Sequence, residues 1–193
     1  NTASSHNRLL YFQKVCEILN LNLNYAYTLN NIYWDIFYKN IKPFEYVTDL
    51  FKYLKEKNIK IAILTNFTSE HQFKKLFKMK LLDYIDYLVT SEEVGVEKPD
   101  KKMFETVINK LNMKSEEVLM IGDNFKSDIE GAINHDIYAG YFTNSNLLKE
   151  KFFNFSSIEN LYNLIKNLNI TINDLVNLCN IYGERFDLTQ AGG

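Results

Sequence analysis

The 193-residue chain has little of the residues that break or staple a fold: seven Gly, two Pro and two Cys. So few Gly and Pro exclude collagen-like or low-complexity character and point to a helix-rich chain with compact loops. Two cysteines, Cys16 and Cys179, cannot make a disulfide framework. Both lie on apolar helical stripes, which suits reduced core thiols in a cytoplasmic protein. There is no run of about 18 apolar residues, so no membrane span is expected. There is no basic excess either. The net charge is −2, which removes the electrostatic footprint that nucleic-acid binding needs. The N-terminus lacks the apolar core of a signal peptide and an initiator Met, and the expectation is that upstream sequence has been removed. The chain does have an apolar fraction of 46% against 24% charged residues, the balance of an ordinary globular protein.

Helical spacing marks residues 5–21 (Leu9, Phe12, Cys16, Leu19) and the aromatic-rich 24–40 (Tyr27, Trp34, Ile36, Phe37, Tyr38). These are read as a helical pair whose aromatics pack between the helices. Lys42-Pro43 is expected to end the second helix and to put Pro in the first turn of a third, buried through Val47, Leu50, Phe51 and Leu54. Strands follow at 59–64, 86–90, 118–121 and 137–142. The helices between them begin at Thr68/Ser69, with Phe73, Leu76 and Phe77 inside, and at Pro99-Asp100. Lys74, Lys75, Lys78 and Lys80 are assigned to a solvated face. From about 156 two helices follow with no further strand, the second capped by Thr171 and ended by Gly183.

Alternation of strand and helix from 59 to 143 predicts an α/β fold, a Rossmann-like three-layer parallel sheet. Parallel strands bring their C-terminal ends to one edge, where α/β proteins bind ligands. Three strand ends there carry chemistry. Thr65-Asn66 offers a hydroxyl and backbone N–H groups to an anion. Lys98 precedes a helix start, where its ammonium and the helix dipole both favour a phosphoryl oxygen. Asp123 and Asp128 follow the turn at Gly122, and a hard cation such as Mg²⁺ takes one or two carboxylates with waters and a phosphate. Phosphoryl transfer is mostly positioning and charge neutralisation, and it needs this inventory. Read singly, the same residues are a turn residue, a surface cation, a helix cap and a solvated carboxylate. His6, His71 and His135 are scattered and are assigned no role.

Thr65, then Lys98, then Gly122-Asp-Asn-Phe-Lys-Ser-Asp128, in this order, resembles the haloacid dehalogenase-like (HAD) superfamily of phosphohydrolases. Thr90-Ser-Glu-Glu-Val-Gly-Val-Glu-Lys-Pro-Asp100 is similar to the subgroup containing pyrimidine 5′-nucleotidases and N-acetylneuraminate 9-phosphatases. The resemblance implies that 1–42 belong to a helical cap, 43–150 to the α/β core, and 151–193 to C-terminal helices. It implies a Mg²⁺-dependent phosphatase acting on a small phosphorylated metabolite, a nucleotide or sugar phosphate, through an aspartyl-phosphate. Thr65, Asn66 and Lys98 would then bind the phosphoryl group, with Thr65 and Lys98 catalytic, and Asp123 and Asp128 would serve the metal.

One family element is missing. The first motif, a hydrophobic residue followed by Asp-x-Asp-x-Thr at the end of the central strand, matches nothing in residues 1–58. Asp35 and Asp49, the only aspartates there, lie inside amphipathic helices. The resemblance therefore places the nucleophile upstream of Asn1, on a strand between those ending at Thr65 and Gly122. The residues given are then expected to be inactive and unstable alone. A second resemblance, of 173–193 to the start of a class II aldolase/adducin domain, implies a possible fused second domain, with a plain C-terminal helix and tail as the alternative. A phosphorelay receiver is rejected, because its acidic cluster comes first in the chain. A dehalogenase proper needs no metal-binding carboxylate pair. The rival from another class is a non-catalytic HAD-like scaffold or regulatory domain, and an Asp-x-Asp upstream of Asn1 separates the two.

Overall fold

The computed structural model describes residues 6–145 and 152–167. The expected helix at 171–183, Cys179 and the aldolase-like segment lie outside the described residues. The chain opens with a helical hairpin, α1 (Arg8–Ile18) and α2 (Asn24–Asn40). Asn7 caps α1, its Oδ1 accepting from the N–H groups of Leu9 and Leu10. Cys16 is fully buried between the two helices, and Phe12 meets Tyr33 edge-on at 6.1 Å. Much of the hairpin's apolar surface stays exposed, including Tyr25, Tyr27 and Ile36.

Pro43 does not start the third helix, contrary to expectation. Ile41 turns extended as the C-cap of α2, and Tyr46 sits in the left-handed region at φ 64°. Helix α3 begins only at Val47 and runs to Glu56. Strand β1 (Ala62–Thr65) leads into α4 (Ser69–Lys78), and β2 (Tyr87–Thr90) pairs parallel to β1, Thr65 opposite Thr90. A single turn, α5 (Ser91–Val94), ends at Gly95 with φ +83°, a backbone state that glycine alone adopts cheaply. Helix α6 (Lys101–Leu111) is capped by Asp100, as the Pro-Asp signal predicts. Strand β3 (Leu119–Gly122) is followed by a wide π-type turn, Phe125–Glu130, and the short α7 (Gly131–Ile133). Strands β4 (Tyr138–Phe142) and β5 (Phe152–Phe155) continue the sheet in parallel, and α8 (Ile158–Asn167) closes the described chain.

Strand β5 was not anticipated from the sequence. The run Phe152-Phe-Asn-Phe155 is its signal, and it buries Phe152, Phe153 and Phe155. Residues 152–167 therefore pack with the α/β core rather than with the C-terminal helices expected from 151. Helix α4 also turns differently. Gln72 and Leu76 face inward, while Phe73 and Phe77 are 49% and 67% exposed. The burial stripe passes through positions 69, 72 and 76, one step round the helix from the aromatic pair.

Helices cover both faces, giving three layers. On one face Met103, Phe104 and Val107 of α6 pack against Val89, Ile129, Ile137 and Ala139. On the other, Leu50 of α3 meets Phe153, Phe155, Leu161 and Ile165. Burial of such side chains contributes about 1.5–3 kcal/mol each. The sheet itself is in two halves. Strand β1 pairs only with β2, and β3 heads a separate β3-β4-β5 sheet. Among the described residues no strand lies between β1 and β3. A cavity of about 490 Å³ occupies that place, walled by Ile63 and Leu64 of β1, Leu119 and Ile121 of β3, and Leu54 and Leu161 from the helices.

Candidate active site

The cavity between the half-sheets is lined at one end by Thr65, Lys98, Gly122, Asp123 and Asp128. The structure thus brings the separated sequence signals to one place, and hydrogen bonds explain how. Asn66, just beyond β1, clamps the backbone of Lys98. Its Oδ1 accepts from the Lys98 N–H at 2.6 Å, and its Nδ2 donates to the Lys98 carbonyl at 3.1 Å. The Lys98 side chain then reaches across to Asp128, Nζ to Oδ1 at 2.7 Å, with both side chains at least nine-tenths buried. One chain of contacts so joins the end of β1 to the turn after β3.

Asp128 is held from three sides. Besides Lys98, Ser127 Oγ donates to Oδ1 at 2.9 Å and the Asn124 N–H donates to Oδ2 at 3.2 Å. Asn124 in turn caps the π-type turn, accepting from the Ser127 N–H at 3.0 Å. Burying a carboxylate is expensive unless it is paired and hydrogen-bonded, and these partners meet that requirement. Gly122 makes room for it. A Cβ at Gly122 would fall 2.5 Å from Asp128 Oδ2. Asp123, by contrast, is exposed at the strand end.

The expected phosphate ligand Asn66 therefore has its carboxamide engaged with Lys98, and what it offers outward is its backbone. Asn124, Ser127 and Gln72 were not singled out from the sequence. The signal for the first two lay in the motif itself, since an Asn-x-x-Ser after a strand is a helix-cap pattern. Gln72 gave none, because the α4 stripe was read from its aromatics.

Above the strand ends, α2 docks on α4. The Trp34 ring stacks on His71 at 3.7 Å, and the Tyr38 hydroxyl lies 2.5 Å from His71 Nδ1. Burial pushes the Tyr38 phenol up to about 12, so it keeps its proton. Burial likewise lowers the His71 pKa, which keeps that ring neutral. A cavity of about 950 Å³ opens here, lined by Asn30, Trp34, Asp35, Tyr38, Thr68 and His71 among others. Trp34 and Tyr38 thus face the core and line a cavity, whereas the sequence reading packed them between α1 and α2. Helix α4 is tied to the strand ends: Ser69 Oγ lies 2.8 Å from Thr90 Oγ1, and Glu92 accepts from the Ser69 N–H at 2.8 Å. Lys75, expected on the solvated face, is half-buried over the Phe67 ring at 5.7 Å, and burial lowers its pKa.

This arrangement is shared. Residues 10–140 match the family of haloacid dehalogenase-like hydrolases. The chain belongs to that family. It is similar to ribulose-1,5-bisphosphate 5-phosphatase of Halopiger xanaduensis, at 35% identity over 133 residues, covering 68% of this chain and 56% of that protein. It is 49% identical to a pyrimidine 5′-nucleotidase of Escherichia coli over 78 residues, covering 40% of this chain and 35% of that protein. Glyceraldehyde 3-phosphate phosphatase of Methanothermobacter thermautotrophicus is 32% identical over 102 residues, covering 53% of this chain and 45% of that protein. The chain spans about half the length of these curated relatives, or less. Among solved structures, a HAD phosphatase from Thermococcus onnurineus aligns with TM-score 0.61 at 22% identity, over 83% of this chain and 87% of that one, and supports the fold. A HAD hydrolase from Bacillus subtilis described as bound to magnesium aligns with TM-score 0.57 at 25% identity, over 66% of this chain and 55% of that one.

Proposed function

We propose that the protein carrying this chain is a Mg²⁺-dependent phosphatase of small phosphate monoesters, a nucleotide or sugar phosphate. The observation that carries the reading is the convergence of Thr65, Lys98, Asp123 and Asp128 on the cavity between β1 and β3. The phosphatases among its relatives add support. Lys98 neutralises phosphoryl charge from its clamped position, and Thr65 donates its hydroxyl to a phosphoryl oxygen. Asp128 holds Lys98 in place. Asp123, open at the strand end, suits a direct metal ligand with waters filling the shell. Two carboxylates fit Mg²⁺, which needs no all-protein cage. Bound there, the ion would neutralise charge on the phosphoryl oxygens.

The nucleophile in this reading is an aspartate upstream of Asn1, on a strand between β1 and β3. Its carboxylate forms a bond to phosphorus as the ester P–O bond breaks, and the leaving alkoxide takes a proton from the second aspartate of the same Asp-x-Asp motif. Water then cleaves the aspartyl-phosphate to inorganic phosphate and free carboxylate. The cavity beneath α2 takes the remainder of the substrate, and Asp123 and Asp128 alone form a half-site. The test is a phosphatase screen of the full-length protein against nucleoside and sugar phosphates, with and without EDTA, and with acid-quench trapping of the phosphorylated enzyme. Metal-dependent turnover with a trapped acyl phosphate is expected. No turnover of any monoester would leave a non-catalytic HAD-like scaffold.

A further inference from the structure

Thr90 ends β2 and is 1% exposed, the least exposed of the buried polar side chains among the described residues. Its Oγ1 accepts the Glu93 N–H at 3.2 Å, which caps α5, and lies 2.8 Å from the Oγ of Ser69, the first residue of α4. Helix α4 has no cap of its own. Thr68 stands at the N-cap position, but its side chain makes no capping bond, and its Oγ1 is without a partner among the described residues. The Ser69 N–H is taken instead by Glu92 Oε2 at 2.8 Å. A helix start is commonly closed by its own N-cap side chain; this one is placed from the end of β2. That end is itself tied to the core. From α6, Lys102 Nζ donates to the Val94 carbonyl at 3.1 Å and Lys110 Nζ meets Glu93 Oε1 at 2.6 Å. Met103, Phe104 and Val107 bury the same helix.

We propose that Thr90 is a positioning residue for the loop between β1 and α4, acting through Ser69. The loop, residues 66–68, presents its backbone to the phosphoryl group, and for that ligand the proposal rests on the phosphatase reading. The ladder already sets Thr65 opposite Thr90; the Thr90 hydroxyl extends that hold past the end of the strand. Asn66 fastens the front of the loop to Lys98. A segment held at one point pivots about it. Ser69, held by Thr90 and Glu92, fastens the rear and removes the pivot. Both anchors lie on one stretch, 90–98, so the loop and Lys98 keep their spacing. Donors fixed before the substrate arrives stabilise developing charge without reorganising, and a misplacement of about 1 Å can cost about a hundredfold in rate. Of the two rear contacts, the one from Thr90 decides. Glu92 is exposed and its bond competes with water, whereas Thr90 is out of water, where a hydrogen bond is stronger and an unpaired hydroxyl costs more.

The experiment uses the full-length protein and reads phosphate binding and amide exchange rather than turnover. The probe is inorganic phosphate with Mg²⁺, followed by isothermal titration. Thr90→Val keeps the shape and removes the hydroxyl, and it should weaken phosphate binding about fivefold or more, the worth of one hydrogen bond. Hydrogen exchange by mass spectrometry should quicken at 66–69 and stay as in wild type at 119–122. Thr90→Ser restores the hydroxyl and should bring the affinity back to within about twofold of wild type. Thr90→Val also uncaps α5, so Ser69→Ala isolates the link, and it stands in where Thr90→Val does not fold. Ser69→Ala should weaken phosphate to the same extent, and the double variant should bind no worse than Thr90→Val, because one connection is broken once. Losses that multiply in the double variant would mean that Ser69 touches phosphate itself, and would overturn the proposal. So would unchanged phosphate affinity or unchanged exchange at 66–69 in Thr90→Val, or a Ser69→Ala that behaves as wild type. If the full-length protein binds no phosphate and hydrolyses no monoester, the phosphatase reading falls, and exchange at 66–69 alone decides whether Thr90 holds the loop.

Discussion

Lys98 Nζ and Asp128 Oδ1 stand 2.7 Å apart with their side chains 9% and 7% exposed. The pair is the joint between the two half-sheets, and it is nearly out of water. Removing one partner leaves the other as a buried, uncompensated charge, which costs about 3–5 kcal/mol, whereas replacing both with apolar groups of similar size is close to neutral. Lys98→Met and Asp128→Leu should each destabilise by that amount, and the double variant should recover most of it. Urea denaturation of the three variants measures this as a double-mutant cycle. Equal and additive losses would show that the pair is not coupled. Under the proposed phosphatase function, activity of the full-length protein should vanish in all three, since each variant removes Lys98 or the carboxylate that holds it.

Gly122→Ala tests the close approach behind Asp128. The new methyl would collide with the Asp128 carboxylate, 2.5 Å from Oδ2. Neither backbone nor a doubly bonded carboxylate can move aside cheaply. A loss of about 1–3 kcal/mol, the usual range for overpacking, is expected. Metal or phosphate affinity should fall by more than this stability change explains, because Asp128 is pushed off Lys98. Isothermal titration with inorganic phosphate and Mg²⁺ against wild type checks it; equal affinity would mean that the turn relaxes around the methyl.

Asn66 makes its prediction through the Lys98 backbone. Both ends of its carboxamide are bonded there, at 2.6 and 3.1 Å. Asn66→Asp keeps the acceptor for the Lys98 N–H and loses the donor to the Lys98 carbonyl. Asn66→Ala loses both bonds, at about 1 kcal/mol each. The ranking of melting temperatures should therefore be wild type, then Asn66→Asp, then Asn66→Ala. Under the proposed phosphatase function, Asn66→Ala in the full-length protein should lower kcat more than it raises KM, because Lys98 is displaced without being removed. A change confined to KM would instead point to direct substrate contact by Asn66.

The fold class was legible because strand and helix alternate from β1 to β4 with little interruption, and because a cap such as Asp100 is a local feature. That Thr65, Lys98 and Asp123 meet at one cavity was legible as an order of motifs along the chain. Three things were not. The inward turn of α4 was legible at Leu76 but hidden at Gln72, because Phe73 and Phe77 outweigh a glutamine in any reading by hydrophobicity, yet the sheet dictates which stripe is covered. The short β5 was hidden by its length of four residues. The Asn66 clamp was hidden because a carboxamide facing a backbone 32 residues away leaves no trace in local pattern.

His71 gives a prediction in pH. Its ring is stacked on Trp34 at 3.7 Å and hydrogen-bonded through Nδ1 to the Tyr38 hydroxyl, and burial holds its pKa below the ordinary 6.5, Glu70 and Glu92 opposing and Lys74 reinforcing. The unfolded chain binds the proton more readily than the folded one, so folding favours the neutral ring. Stability from this site is then complete above the unfolded value of 6.5 and is lost as pH falls through the folded value. His71→Asn retains an acceptor for the Tyr38 hydroxyl but cannot titrate. The melting temperature of wild type should exceed that of His71→Asn at pH 7.5, and the difference should shrink steadily below pH 6.5. Because α2 is docked through this ring, the loss should appear first as faster hydrogen exchange in α1 and α2, with the α/β core unaffected at the same pH. A melting difference that stays constant from pH 7.5 to 5 would mean that His71 is protonated as easily in the folded chain as in the unfolded one, and that the hairpin is held by Trp34 packing alone.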